Sequence, residues 1–388
     1  MEEKKEEKKL RYNKYNSFVT FKGLAGKKTD NPKEKINLLY KNKTGINNLK
    51  NDYISVLEKV IFDLNNDSKK ETSFSLTENV IDEINTIEDD KILNYLVHRY
   101  RYEIYPKLKI LDNYPPYLQI EPSSICNFRC VFCFETDKSF TNKKNGFMGT
   151  MNLNLFKEII DAIEGNIEFI SLASRGEPLA CPDISEMLEY TNGKFLNLKI
   201  NTNASLLNEK KCHAILSGGV KTVVFSADAA DEKLYSELRV NGNLKKVLKN
   251  IETFKNIREK NYSKNPIISR VSGVKFSKEQ NFDEMKKLWS GLVDQIAFVD
   301  YNPWENSYLK NSNNITEPCS DLWRRMFVWW DGKVNPCDVD YKSKLSVGGF
   351  KKNNISKIWN SENYNKIREK HLKSKRKELS PCSGCVVV

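Results

Sequence analysis

No apolar run in this 388-residue chain approaches the ~18 residues that a membrane-crossing helix needs. The opening Met1-Glu2-Glu3-Lys4-Lys5 also lacks the apolar core of a signal peptide, so the expected compartment is the cytoplasm. Glycine is scarce, at 17 residues, which argues against a low-complexity chain, and 39% hydrophobic with 29% charged residues suits a globular one with a sizeable core. No Arg-rich block is present. The formal charge of +12 comes from lysines spread along the sequence, which reads as a solvated surface rather than a nucleic-acid footprint, so nucleic acid is not an expected partner. In a reducing compartment the nine cysteines have no disulfide framework to build, which points most of them toward metal.

Three of them stand in Cys126-Asn127-Phe128-Arg129-Cys130-Val131-Phe132-Cys133, directly after a strand-like Tyr117-Leu118-Gln119-Ile120-Glu121. No fourth Cys or His shares that loop. Three thiolates closing within eight residues would leave one iron of a four-iron, four-sulfur cluster without a protein ligand, and so open to chemistry. The same i, i+4, i+7 spacing is also one face of a helix, where three cysteines would be a core stripe. The break at Pro122-Ser123-Ser124 and the lack of a flanking apolar stripe favour the cluster.

This motif resembles the signature of the radical S-adenosylmethionine (SAM) enzymes. The resemblance implies that Cys126, Cys130 and Cys133 hold a [4Fe-4S] cluster and that the amino and carboxylate groups of SAM chelate its fourth iron. It also implies an external electron donor of the flavodoxin or ferredoxin type, reductive cleavage of SAM to a 5′-deoxyadenosyl radical, and hydrogen abstraction from a substrate.

The order of elements agrees with that expectation. Residues 1–16 mix Glu and Lys with almost nothing apolar and read as a disordered charged tail. Residues 17–113 carry helical periodicity, as in Tyr53, Val56, Leu57, Val60, Ile61 and Leu64, and read as a helical N-terminal region or lid. These helices either serve only as core or, through their basic ends and Tyr100-Arg101-Tyr102, meet an acidic or carrier-bound partner. From Tyr114 to residue 305, six β-type runs alternate with helical patterns. The fold class is therefore α/β, a partial (β/α)6 TIM-like barrel with functional residues at the carboxyl ends of its strands.

Companion motifs stand at those ends. Arg175-Gly176-Glu177-Pro178 resembles the family's Gly-Gly-Glu-Pro, whose backbone carbonyls hold the amino group of SAM, with Arg175 in place of the first glycine. Asn201-Thr202-Asn203 and Ser226-Ala227-Asp228 match the polar ends near the ribose and methionyl groups, so Asn201, Asn203 and Ser226 are expected cofactor contacts. Arg239 resembles the arginine that pairs with the methionyl carboxylate; as a bare residue it is equally a helix-surface ion pair. Phe132 is expected beside the adenine, or in simple core packing. Asp300, Tyr301, Trp304 and Arg324 lie where substrate is to be met and receive no role.

Residues 306–388 carry Cys319, Cys337, Cys382 and Cys385 around a Met326–Val334 hairpin with an Asp-Gly turn. Four thiolates suit structural zinc as well as an iron–sulfur cluster. With Trp359 the segment resembles the SPASM/twitch auxiliary-cluster domain in its short form, which implies one auxiliary [4Fe-4S] cluster. Cys181 and Cys212 remain as ordinary buried thiols. The resulting expectation is a radical SAM enzyme acting on a small molecule or peptide, specifically oxidising an alcohol of a sugar or aminocyclitol with the auxiliary cluster as electron acceptor. Peptide maturase and sugar epimerase stay open as alternatives. A non-catalytic, zinc-stabilised binding protein of nucleic acid would instead be colourless and salt-sensitive.

Overall fold

Short runs of β-branched and aliphatic residues form strands here because each is followed by an amphipathic stretch that returns the chain to the same sheet edge. The computed structural model describes residues 18–21, 31–66, 70–305, 307–351 and 354–388; the charged tail expected at 1–16 lies outside them. Phe18–Thr20 is β1, and the helices Pro32–Lys41 (α1), Asn51–Asn65 (α2), Glu78–Ile84 (α3) and Asp89–Glu103 (α4) follow. The six barrel strands are Tyr117–Ile120 (β2), Phe169–Leu172 (β3), Asn197–Thr202 (β4), Val220–Ser226 (β5), Ile268–Lys275 (β6) and Gln295–Asp300 (β7). They pair in parallel and in chain order from β2 to β7, the ladder of a partial barrel.

Alternation along these strands separates two faces. Ile170, Leu172, Leu198, Ile200, Val223, Phe225, Val271, Ile296 and Phe298 enter the main core. They share it with apolar residues of the crossover helices Leu153–Ile163 (α5), Ile184–Tyr190 (α6), Glu209–Ser217 (α7), Leu244–Asn261 (α8) and Phe282–Trp289 (α9). The opposite, inner face carries Tyr117, Phe169, Asn197, Lys199, Arg270 and Gln295 near the amino ends of the strands. Helices α3 and α4 sit against it: Tyr117 and Phe169 join the helices' own core, the Glu83 carboxylate accepts from Lys199 and Asn197 at 3.0 Å each, and Arg270 donates to Asn79 at 2.6 Å. The helical region thus plugs the amino-terminal mouth of the barrel, away from the cysteine loop.

That placement corrects three expectations. The helices are no lid over the cysteine loop. Tyr100-Arg101-Tyr102 is not a partner-facing surface: Tyr100 and Arg101 are buried, Arg101 pairs with Asp112 at 2.8 Å, and Tyr102 packs on Tyr117. Arg324 is at the wrong end of the sheet to meet substrate, since it bonds the Tyr102 carbonyl and Asp321 beside the plug.

The C-terminal hairpin forms as expected, from Arg325–Val328 (β8) and Lys333–Asn335 (β9), with Gly332 at φ +80° in the turn. Strand β8 runs parallel to β2 and extends the barrel sheet, while at the far edge β1 pairs antiparallel with β7. The three-residue β1 was not foreseen within a region read as helical. Among the described residues, no helix is long and apolar enough to cross a membrane.

Candidate active site

After β2 the chain turns at Ser123 and Ser124, which tie back to Thr150 and Gly149, and enters the cysteine loop. The loop is not helical. Arg129–Cys130 forms a two-residue antiparallel ladder with Arg239–Val240, and the Val131 N–H donates to the Leu238 carbonyl at 3.0 Å, which removes the core-stripe alternative. All three thiols are free, Cys130 buried and the others half-buried. The Asn203 amide is 3.9 Å from the Cys126 sulfur, and the Arg239 guanidinium is 3.7 Å from that of Cys130. Burial pushes the Cys126 thiol up to about 12 and raises Cys130 and Cys133 as well, so these side chains are protonated until a cation displaces the proton.

Gly176 holds the neighbouring turn against this loop. A Cβ there would stand 2.5 Å from the Ser123 carbonyl oxygen, and the Glu177 N–H donates to the Ile125 carbonyl at 3.0 Å. Only glycine allows that approach. The preceding Ser174 has φ +144°, a strained conformation for a side-chain-bearing residue. The buried Glu177 carboxylate accepts from the Asn203 N–H at 2.7 Å, the Thr202 hydroxyl at 2.6 Å and the Leu179 N–H at 3.0 Å. Asn203 in turn bonds Asn127, between the first two cysteines, which donates to Ser205. Glu177 and Asn203 are therefore joined to the loop, whereas Asn201 is exposed and Ser226 half-buried at the carboxyl ends of β4 and β5.

Arg175 does not present its side chain to this space. It is buried, bidentate to Glu121 at 2.6 and 2.7 Å, donates to the Tyr341 carbonyl at 2.9 Å, and lies 4.3 Å over the Trp329 ring. Arg239 is buried too, paired with Asp228 at 2.5 Å with its guanidinium 5.9 Å over the Phe132 ring, which removes the helix-surface alternative. Phe132 packs on Phe276, whose ring meets Tyr301 edge-on. Sequence reasoning missed Glu121, Asn127 and Asp228 as participants. The available signal was acidic residues at the carboxyl ends of β2 and β5, where a carboxylate is buried only with a partner.

Cys319, Cys337, Cys382 and Cys385 line one cavity of about 30 Å³, together with His371 and Arg376. The fold-back that joins them is fixed by hydrogen bonds: Arg376 donates to the Glu317, Cys385 and Val387 carbonyls, and the Cys319 N–H donates to His371 Nδ1 at 3.2 Å. Burial pushes Cys319 to about 12 and raises the other three, while burial and then Arg376 pull His371 down to about 3. Among the described residues, no three His, Cys, Asp or Glu side chains are gathered as a single metal ion requires. Four thiols round one cavity suit either a tetrahedral zinc ion or an iron–sulfur centre. Trp304 lines this cavity and also packs on the cluster of Phe134, Phe140 and Tyr341 that touches Cys133, so one aromatic package separates the two cysteine groups. Cys181 and Cys212 are buried in the main core, with Cys181 facing the Met151 carbonyl. Asp300 is exposed and paired with Lys275, and Tyr301 bonds Glu305.

Residues 120–288 match the model of the radical SAM superfamily, and residues 319–386 match that of SPASM, an iron–sulfur cluster-binding domain. A GTP 3′,8-cyclase of Clostridium botulinum (strain Okra / Type B1) is 26% identical over 216 residues, 53% of this chain and 64% of that protein's length. This chain thus spans less than two thirds of that relative. The tungsten-containing aldehyde ferredoxin oxidoreductase cofactor-modifying protein of Pyrococcus furiosus is 23% identical over 303 residues, 65% of this chain and 83% of that one. The solved structure of Streptococcus suis SuiB bound to precursor peptide SuiA aligns with a TM-score of 0.51 at 19% identity, over 83% of this chain and 78% of that one, a likeness of fold.

Proposed function

Because the chain belongs to the radical SAM superfamily and carries an iron–sulfur cluster-binding SPASM domain toward its C-terminus, we propose that it oxidises an alcohol on a sugar or aminocyclitol, with an auxiliary cluster as electron acceptor. S-adenosylmethionine bound at a [4Fe-4S] cluster supplies a 5′-deoxyadenosyl radical that removes hydrogen from a substrate. Cys126, Cys130 and Cys133 are the residues that would hold that cluster. Gly176 brings the backbone of its turn to the loop, Glu177 fixes the turn to Asn203, and Arg239 offers a guanidinium beside Cys130 for a carboxylate, braced by Asp228. Phe132, Phe276 and Tyr301 form an aromatic wall on the same side.

The observation that carries the oxidative reading is the second cysteine group. Four thiols lining one cavity would leave no open metal position for substrate, which suits electron transfer rather than substrate ligation, and an aromatic package reaches from Trp304 at this cavity to Cys133. A redox-neutral epimerase would need a hydrogen-donating thiol in the barrel, and that alternative loses support because Cys181, the cysteine near a strand end that could serve, faces the Met151 carbonyl inside the core. The maturase alternative gains none from the N-terminal region, which is helical and fills the amino-terminal mouth of the barrel.

Reconstituted, dithionite-reduced protein is expected to release 5′-deoxyadenosine, and the Cys126→Ala, Cys130→Ala, Cys133→Ala triple variant to release none. With a candidate sugar the product should be two mass units lighter than the unlabelled substrate, and deuterium placed at the reacting carbon should enter 5′-deoxyadenosine. A product of unchanged mass would overturn the oxidation while leaving the radical assignment standing. Equal 5′-deoxyadenosine release from both proteins would overturn the assignment of the loop.

A further inference from the structure

His371 lies on the helix Glu362–Leu372, is fully buried, and lines the cavity shared by the four C-terminal cysteines. The orientation of its ring is set by the Cys319 N–H, which needs an acceptor and finds Nδ1 at 3.2 Å; turning the ring over would offer it a carbon. An Nδ1 that accepts carries no proton, so a neutral imidazole must carry its proton on Nε2. Yet Nε2 is buried and has no hydrogen-bond partner among the described residues. A buried donor left unpaired costs about 1–3 kcal/mol. The Asp321, Asp338 and Asp340 side chains also line the cavity but none accepts from Nε2, and the acceptors a cluster would add there are sulfurs.

We propose that His371 Nε2–H donates a hydrogen bond to a sulfur of the auxiliary cluster and that His371 is thereby a positioning residue that sets the cluster's reduction potential. This rests on the reading that the four cysteines hold an iron–sulfur cluster. Reduction places added negative charge on the sulfurs, so a fixed donor stabilises the reduced form more than the oxidised one and raises the potential. The Nδ1 contact does separate work, since it ties the backbone of Cys319 to the same ring.

The two ring nitrogens can be tested apart in the Cys126, Cys130, Cys133 triple Ala variant of the full chain, where the auxiliary cluster's signal stands alone. His371→Asn places an amide oxygen where Nδ1 accepts and offers no donor at the Nε2 position; His371→Gln extends an amide N–H to that position. In an EPR-monitored redox titration, His371→Asn should move the midpoint to more negative potential. The reduced-to-oxidised ratio at fixed poise should fall about tenfold, which is 59 mV for a one-electron couple. His371→Gln should recover most of the shift, and an exchangeable-proton coupling to the reduced cluster should disappear only in His371→Asn. An unchanged potential and an unchanged proton coupling in His371→Asn, with its iron retained, would overturn the proposal. Should His371→Asn lose its cluster, 15N-histidine coupling in the His371 protein decides: a coupling to the cluster supports the proposal and its absence overturns it. Zinc without iron in the triple variant would instead overturn the underlying reading of the site.

Discussion

Arg175 meets the Glu121 carboxylate, the Tyr341 carbonyl and the Trp329 ring inside the protein, and so fastens the end of the first barrel strand to the C-terminal segment. Arg175→Gly, which restores the residue of the resembling motif, should destabilise the apo chain by about 3–5 kcal/mol, because Glu121 is left buried without its cation. Denaturant midpoints check this, and adding Glu121→Gln should return part of the loss. Arg239→Ala should weaken SAM binding by about 1.5–3 kcal/mol in titration calorimetry. Its ion pair with Asp228 means that the same variant also loses stability; adding Asp228→Asn should relieve the second effect and leave the first. At this scale the cysteine loop was legible, because sulfur spacing of i, i+4, i+7 is local in sequence. The clamp was not: Arg175 and Tyr341 are 166 positions apart, and no pattern along the chain couples them.

Strands β2 to β7 could be read from the sequence because apolar runs alternate with amphipathic stretches, the signal of a parallel sheet with helices on its outer face. The seat of the helical region could not. Its contacts with the barrel include Glu83, Asn79 and Asp82 against Lys199, Arg270 and Gln295, polar residues that read as surface until the inner face closes over them. Strand β1 escaped for a simpler reason, being three residues long with no alternation to detect. Burial alone would push the Glu83 carboxyl up, but Lys199 and Arg99 with the Tyr95 hydroxyl bring it down to about 2. A folded value below the unfolded ~4.3 gives stability that is present above that pH and lost as the pH falls toward 2. Glu83→Gln should therefore cost about 3 kcal/mol at pH 7, with Lys199 and Arg99 left unbalanced. The gap from the parent protein should narrow at pH 3, as read from thermal midpoints at both values.

For the whole molecule, the two cysteine groups predict about eight Fe per reconstituted chain, and about half of that in the Cys126, Cys130, Cys133 triple Ala variant. Iron and zinc analysis of both proteins checks the count; tight zinc with iron for a single cluster would remove the auxiliary centre. The parallel pairing of β8 with β2 has a further consequence, in the order of synthesis. Strand β2, which leads into the cysteine loop, emerges from the ribosome about 200 residues before its partner, a wait of roughly 10–40 s at ordinary elongation rates. Until Arg325–Val328 arrives, the growing chain carries an unpaired sheet edge beside three free thiols, so a chaperone has its longest opportunity there, and a product cut off at residue 305 should aggregate through that edge.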